Sequence, residues 1–215
     1  MLSQKNMREG FISAMLFLIF PVMGGQTADR EALAYYNHGV YLVGKKQFAG
    51  AVMNFTEAIR RDSLFLQAYE NRGVARYYLN DPAGAIADYD KALTINPDDY
   101  STIGRRGWAK YNLQQYSDAI SDFSKAIEGK RDNAGYYVIR GQAKFKIQDF
   151  DGAIQDFNRV IKSWNATRDH KRKALFWRAM VRIDLGQKES ACNDFGESMR
   201  LGYKMAGELA DIYCF

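Results

Sequence analysis

The chain of 215 residues has few of the side chains from which metal centres, nucleophilic active sites and disulfide frameworks are built. It contains two cysteines and two histidines, and neither pair has the spacing of a metal-ligand motif. It also has no glycine-rich loop of the type that binds phosphate. The composition therefore argues against catalysis, and we expect a protein that is not an enzyme and has no metal and no cofactor.

Proline and long apolar runs are also scarce. The chain has three prolines, which suits a helical protein with few long loops. Its most apolar run, residues 11–23, is shorter than the roughly 20 residues that span a bilayer. A polar segment with Lys5 and Arg8 precedes this run, and Gly24 and Gly25 follow it. This order is typical of a secretory signal.

We therefore predict that residues 1–25 are a signal peptide and residues 26–31 a short linker. Export would place the protein in the periplasm or outside the cell. The alternative is a short membrane anchor in the inner membrane, and the N-terminal segment would then be the only part in contact with lipid.

Neither sign of charge dominates the chain. Lys and Arg number 30 against 25 Asp and Glu, for a formal net charge of +5. Because the two signs alternate along nearly every segment, they are typical of solvated helix faces. We expect no nucleic-acid partner, although a basic and aromatic surface keeps nucleic-acid binding as a remote alternative.

The chain does contain an internal repeat. Series of small and aromatic residues recur at intervals of 34 residues. A unit of this length forms two helices that bury their apolar faces only by stacking on further copies. The series are Gly39, Gly73, Gly107 and Gly141; Ala51, Ala85, Ala119 and Ala153; Phe55, Tyr89, Phe123 and Phe157; and Ala58, Ala92, Ala126 and Val160.

The second unit shows the pattern of one repeat most clearly. Apolar periodicity predicts helix A over residues 66–79 and helix B over residues 82–95, with Asp81 as the N-cap and Pro82 in the first turn of helix B. The unit resembles the tetratricopeptide repeat in an aromatic, a small residue and a late proline at the family spacing. The residues that carry this resemblance are Tyr69, Arg72, Gly73, Tyr77, Ala85, Tyr89, Ala92 and Pro97.

The resemblance implies an all-α fold, a right-handed superhelical solenoid of antiparallel helix pairs with about five repeats and a C-terminal capping helix. The predicted units are residues 32–65, 66–99, 100–133 and 134–167, followed by an insertion at 168–171, a degenerate unit at 172–205 and a capping helix within 203–215. We interpret the insertion, with Arg168, His170, Lys171, Arg172 and Lys173 in or beside it, as a solvated basic loop.

Within each unit, the repeating residues have predicted structural roles. Gly73 and Ala85 are expected where helices A and B cross, while Tyr89 and Ala92 are expected to pack toward the next unit. Two further series predict a ladder of ion pairs between neighbouring helices that begins at the second unit. The ladder consists of Arg72, Arg106, Arg140 and Arg178 with Asp88, Asp122, Asp156 and Asp194, and His38 and Asn54 take the equivalent places in the first unit.

Cys192 and Cys214 both follow the last regular repeat. Helical rise from a turn near Gly202 brings them to a similar level, so a disulfide is predicted there, with two separate buried thiols as the alternative. An oxidising compartment would support the bond. This end of the chain also resembles the C-terminal segment of exported repeat proteins in some Gram-negative bacteria.

The resemblance also implies that the A helices line a concave face that holds a peptide segment of a partner. Many positions assigned to that face are aromatic, which suits recognition of a protein segment. The alternative for Tyr77, Tyr111 and Phe145 is packing between neighbouring A helices. The positions predicted to bind the partner are Tyr36, Asn71, Tyr77, Tyr78, Arg105, Trp108, Tyr111, Asn112, Gln142, Phe145 and Lys146, and the same register adds Val40, Val43, Glu70, Val74 and Val138.

One binding mode of the family can be tested on the sequence. A clamp for C-terminal carboxylates needs five Lys, Arg and Asn side chains, of which only Asn71 and Arg105 are present; Tyr36, Val40 and Ser101 stand at the other three positions. The clamp is therefore not expected. A weaker carboxylate site at Arg105 and Lys146 remains open.

The sequence thus favours a non-enzymatic scaffold that binds a segment of an envelope protein of unknown identity. The alternative is a structural subunit whose repeat face is permanently buried in a larger assembly.

Overall fold

The structure, a computed structural model, describes residues 30–214, and these contain helices but no strand. The predicted signal peptide lies outside the described residues. Helix α1 is described over residues 30–44. The others are α2 Phe48–Arg61, α3 Leu66–Tyr78, α4 Pro82–Ile95, α5 Tyr100–Asn112, α6 Tyr116–Gly129, α7 Ala134–Lys146, α8 Phe150–Lys162, α9 Arg168–Asp184, α10 Lys188–Arg200 and α11 Lys204–Tyr213.

The helices belong to two compact units. The first ends at Ile95 and contains α1 to α4; the second begins at Asn96 and contains α5 to α11. In the first unit α1 pairs with α2 and α3 with α4, and in the second α5 pairs with α6, α7 with α8 and α9 with α10, each time as an antiparallel pair. In the second unit α7 also contacts α5 and α9, so the first helices of successive pairs lie side by side.

The repeating glycines bring the two helices of a pair together through the repeating aromatic ring. A Cβ on Gly73 would lie 2.6 Å from Cε1 of Tyr89, and one on Gly141 would lie 2.7 Å from Cε1 of Phe157. The Tyr89 ring thus fills the space that the glycine of its own unit leaves open, a contact that the sequence pattern does not assign to it. The two helices lie so close together that the aromatic ring of the second helix occupies the space where a side chain on the glycine of the first helix would lie.

We expect Gly141→Ala to lower the free energy of unfolding by about 1–3 kcal/mol, because the methyl group overlaps the Phe157 ring in a packed core. The matched control is Gly196→Ala in α10, where nothing lies within 4 Å of the added Cβ. That substitution should stabilise the protein by about 0.5–1 kcal/mol through helix propensity. Urea denaturation of both variants measures the two effects, and a shift of the same sign would contradict the close approach at Gly141.

The structure contains the predicted ladder of ion pairs, and each aspartate of the ladder also binds a second cation. Asp156 is buried in α8 and binds Arg140 Nη2 at 2.6 Å and Lys144 Nζ at 3.0 Å, both from α7. The same triad forms in the second, third and fifth pairs. Its members are Asp88 with Arg72 and Arg76, Asp122 with Arg106 and Lys110, and Asp194 with Arg178 and Arg182.

The ladder also ties a pair to the one before it. Arg140 Nη1 donates to Ser124 Oγ of α6 at 3.1 Å, and Arg72 Nη1 donates to Thr56 Oγ1 of α2 at 3.1 Å. In the first pair, His38 Nδ1 and Asn54 Oδ1 lie 3.1 Å apart. The ladder begins at the second pair, as the sequence predicts.

The turns inside the pairs repeat a backbone conformation rather than a residue type. The left-handed residue has φ 61° at Asn80, 60° at Gln114 and 72° at Gly186. In each turn the next backbone N–H closes the helix, as when Asp81 N donates to Arg76 O at 2.9 Å. Asp81 then accepts from Gly84 N at 2.8 Å and caps the second helix.

The predicted basic loop at residues 168–171 is wrong: these residues form the first turn of α9. The Thr167 side chain accepts from His170 N, so the helix begins four residues earlier than the repeat register requires. Arg168 Nε donates to Leu201 O at 3.1 Å, and Arg172 Nη1 donates to Gly202 O at 3.1 Å. The basic residues thus cap the end of α10.

Helix α11 packs on the last pair where the sequence predicts a cap. Buried Phe176, Phe195 and Ala206 form its core contacts. Cys192 in α10 and Cys214 after α11 are bonded, with Cα atoms 5.7 Å apart.

Candidate functional site

The predicted binding positions lie on the first helices of the pairs, and we call their outward side the A-helix face. In the first unit it contains Tyr36, Asn71, Tyr77 and Tyr78. Asn71 Nδ2 donates to Tyr36 Oη at 3.0 Å, which links α1 to α3. Tyr78 is 63% exposed, although its ring stacks on Phe48 at 4.7 Å. On this part of the face, the hydroxyl of Tyr36 is fixed by a hydrogen bond and the ring of Tyr78 is exposed.

In the second unit the A-helix face is built from α5, α7 and α9. Trp108 is 37% exposed, and its indole meets the Tyr111 ring edge-on at 6.4 Å. Phe145 of α7 is half-buried between Phe150 at 6.1 Å and Trp177 of α9 at 6.0 Å. The aromatic side chains therefore contact one another and still leave ring surface open.

A hydrogen bond beneath this surface fixes the position of Tyr111. Its Oη lies 3.3 Å from Gln142 Oε1, and Gln142 is buried at 8% exposure. Burial, with a smaller contribution from Tyr116, raises the pKa of Tyr111, so its hydroxyl stays protonated and donates at neutral pH. Gln142 thus positions Tyr111 instead of reaching outward as predicted, and Val138, also assigned to the face, is buried in the core.

Exposed polar side chains surround the aromatic part of the second unit. Arg105 and Asn112 of α5 and Lys146 of α7 are all exposed. Arg105 and Lys146 form no ion pair with another residue of the described range. Two cations on neighbouring helices could receive the carboxylate of an extended ligand.

Trp177 of α9 also belongs to this face, although it is not among the predicted positions. It stands one residue before Arg178, as Asn71 and Arg105 stand before Arg72 and Arg106, so the register that located the other face residues extends to it. The register already includes Arg178, but the predicted face positions come from the first four units alone. Met180 and Ile183 continue the same side of α9, half-buried against the terminal cluster.

The described residues contain neither a candidate metal site nor a candidate membrane-spanning helix. Across residues 30–214, His, Cys, Asp and Glu side chains form no group that could hold a metal ion. Within the same range, none of the helices combines the length and apolar character needed to cross a membrane.

Comparison with known families agrees with this architecture. Residues 66–99 match one family model of the tetratricopeptide repeat, and residues 105–166 match a second. No curated protein sequence matches the chain significantly. The matched segments are tetratricopeptide repeats, so the repeat type that the sequence resembles is confirmed there.

Solved structures share the fold at low sequence identity. MamA from Desulfovibrio magneticus RS-1 superposes with a TM-score of 0.73 and 18% identity, over 80% of this chain and 94% of that chain. YrrB, described as a TPR protein with an unusual peptide-binding site, gives 0.72 and 17% over 84% and 92%. The first TPR of Spaghetti (RPAP3), bound to the HSP90 peptide SRMEEVD, gives 0.54 and 21% over 56% and 95%. The expected fold class, an all-α array of tetratricopeptide helix pairs, is confirmed.

Proposed function

We propose that this protein is a non-enzymatic scaffold that holds a segment of a partner protein on its A-helix face. The observation that carries the proposal is the exposure of large aromatic side chains there, above all Tyr78 and Trp108. Tyr and Trp give a large contact area at low entropic cost and have a polar group for orientation.

The fold supports a protein ligand. Tetratricopeptide repeats serve as protein-interaction surfaces: YrrB is a TPR protein with an unusual peptide-binding site, and the first TPR of Spaghetti (RPAP3) binds an HSP90 peptide. A segment that carries a carboxylate could bind Arg105 of α5 or Lys146 of α7, which are exposed on the helices of the second unit that carry the A-helix face. The amino-acid differences at the carboxylate-clamp positions mean that this chain would use its own set of contacts.

We further propose that the protein is exported and that its partner belongs to the cell envelope. The basic, apolar and small-residue order of residues 1–25 supports export. A disulfide is also more stable in an oxidising compartment. N-terminal sequencing of the protein from an envelope fraction should show a start after Gly24, Gly25 or Ala28, whereas a start at Met1 would favour the anchored form.

The binding proposal predicts the result of affinity capture from an envelope extract. We expect the wild-type protein to retain a partner that a Tyr78→Ala, Trp108→Ala double variant loses by at least about tenfold. The matched control is Met53→Ala, which removes a 71% exposed apolar side chain of α2, away from the A-helix face. Capture of the same proteins by wild type and double variant would refute the assignment.

A further inference from the structure

A concave surface lies in the second unit, outside the A-helix face. It is a cleft of about 450 Å³ beside the turn that joins α8 to α9. Its wall includes Asp132, Gln155, Asn158, Arg159, Lys162 and Trp164. The volume falls in the range of about 300–1,000 Å³ that small-molecule sites occupy.

Trp164 is the unusual member of this wall. It is 93% exposed, whereas Trp108 and Trp177 both pack against other rings. Its indole makes no ring contact with any aromatic side chain in residues 30–214. Folding therefore gains little from this tryptophan, and an exposed indole beside a cleft is a surface on which a ligand can stack.

The polar side chains around Trp164 include donors and acceptors of both charges. Asp132 offers a carboxylate, Gln155 an amide, and Arg159 and Lys162 offer cations that form no ion pair within the described part of the chain. The wall has no aliphatic side chain among these residues. The wall of the cleft therefore contains one aromatic side chain and several hydrogen-bonding groups.

We propose that this cleft binds a saccharide. The C–H face of a pyranose ring can stack on the Trp164 indole, and its hydroxyl groups require the mixed donors and acceptors that Asp132, Gln155 and Arg159 supply. Arg159 and Lys162 outnumber Asp132 in the wall and would also attract a carboxylate, so the test includes an acidic sugar and an acidic peptide.

The test uses the full-length protein, labelled with nitrogen-15 and titrated with chitotriose, cellotriose and trigalacturonic acid at millimolar concentration. The three tryptophans give three indole N–H signals, and Trp164→Ala assigns one of them. We expect at least one trisaccharide to shift the Trp164 signal saturably. In calorimetry, Trp164→Ala should bind that sugar about tenfold more weakly, and Trp164→Phe within a few-fold.

Matched variants separate this site from the A-helix face. Trp108→Ala should keep saccharide binding, and Trp164→Ala should keep the melting temperature because its side chain is exposed. No shift of the Trp164 signal with any of the three sugars would overturn the proposal. A shift with a triglutamate peptide but with none of the sugars would also overturn it and would assign the cleft to a protein ligand.

Discussion

Replacement of Asp156 by asparagine should lower the free energy of unfolding by about 3–5 kcal/mol. The carboxylate is 5% exposed and accepts from two cations whose side chains are each 16% exposed. Asparagine keeps the size of the side chain but removes the charge, so Arg140 and Lys144 are left largely buried without a counterion. Urea denaturation followed by circular dichroism measures the loss.

Asp169 provides a control with the same chemistry at the surface. It also binds one arginine and one lysine, Arg172 at 2.6 Å and Lys173 at 2.7 Å, but its side chain is 43% exposed. We expect Asp169→Asn to cost no more than about 1 kcal/mol. Equal losses in the two variants would show that burial does not set the strength of the ladder.

The pH dependence of this control follows from its pKa. Lys173 first, and then Arg172, lower the pKa of Asp169. Because the folded-state pKa lies below the unfolded one, its contribution is present at neutral pH and disappears as the pH falls through the lowered pKa.

Reduction of the bond between Cys192 and Cys214 should lower the free energy of unfolding by about 3 kcal/mol. The bond closes a segment with a sequence separation of 22 residues and ties the end of α11 to α10. Without the bond, the unfolded chain has more conformational entropy. Helix α11 is then held only by its packing contacts around Phe176 and Ala206.

The measurement is urea denaturation with and without a reductant. A double Cys192→Ser, Cys214→Ser variant should have the same urea midpoint as the reduced protein, and the reductant should not change that midpoint. Intact mass gives an independent check, since reduction of the bond adds two hydrogens. An unchanged mass, or equal midpoints for oxidised and reduced protein, would rule out the bond.

Much of the fold could be predicted from the sequence because its packing repeats in residue type. Gly141 and Phe157 recur with their counterparts at a fixed interval, and so do Arg140 and Asp156. The second cation of the triads escaped notice because Arg and Lys alternate at that position, as Arg76 does with Lys110. The left-handed turns were missed for the same reason, since the shared feature is a φ angle and the side chains differ.

Two features depend on local structure that the repeat register cannot supply. The early start of α9 follows from the Thr167 cap, whose signal is a threonine followed by Asp169 in the first turn. The exposure of Trp164 follows from the path of the turn after α8, and a tryptophan in a repeat protein is ordinarily expected in the core. The candidate face was located by register, but the burial of Gln142 required the packing of α5 against α7.

Site-specific photocrosslinking tests the central claim most directly. A photoreactive phenylalanine derivative would replace Tyr78 or Trp108 in one set of proteins, and Met53 of α2, which is 71% exposed, in the control. If the A-helix face holds a partner segment, the first two positions should crosslink to a protein from the envelope and Met53 should not. Crosslinks at Met53 to the same protein, or none at Tyr78 and Trp108, would contradict the account.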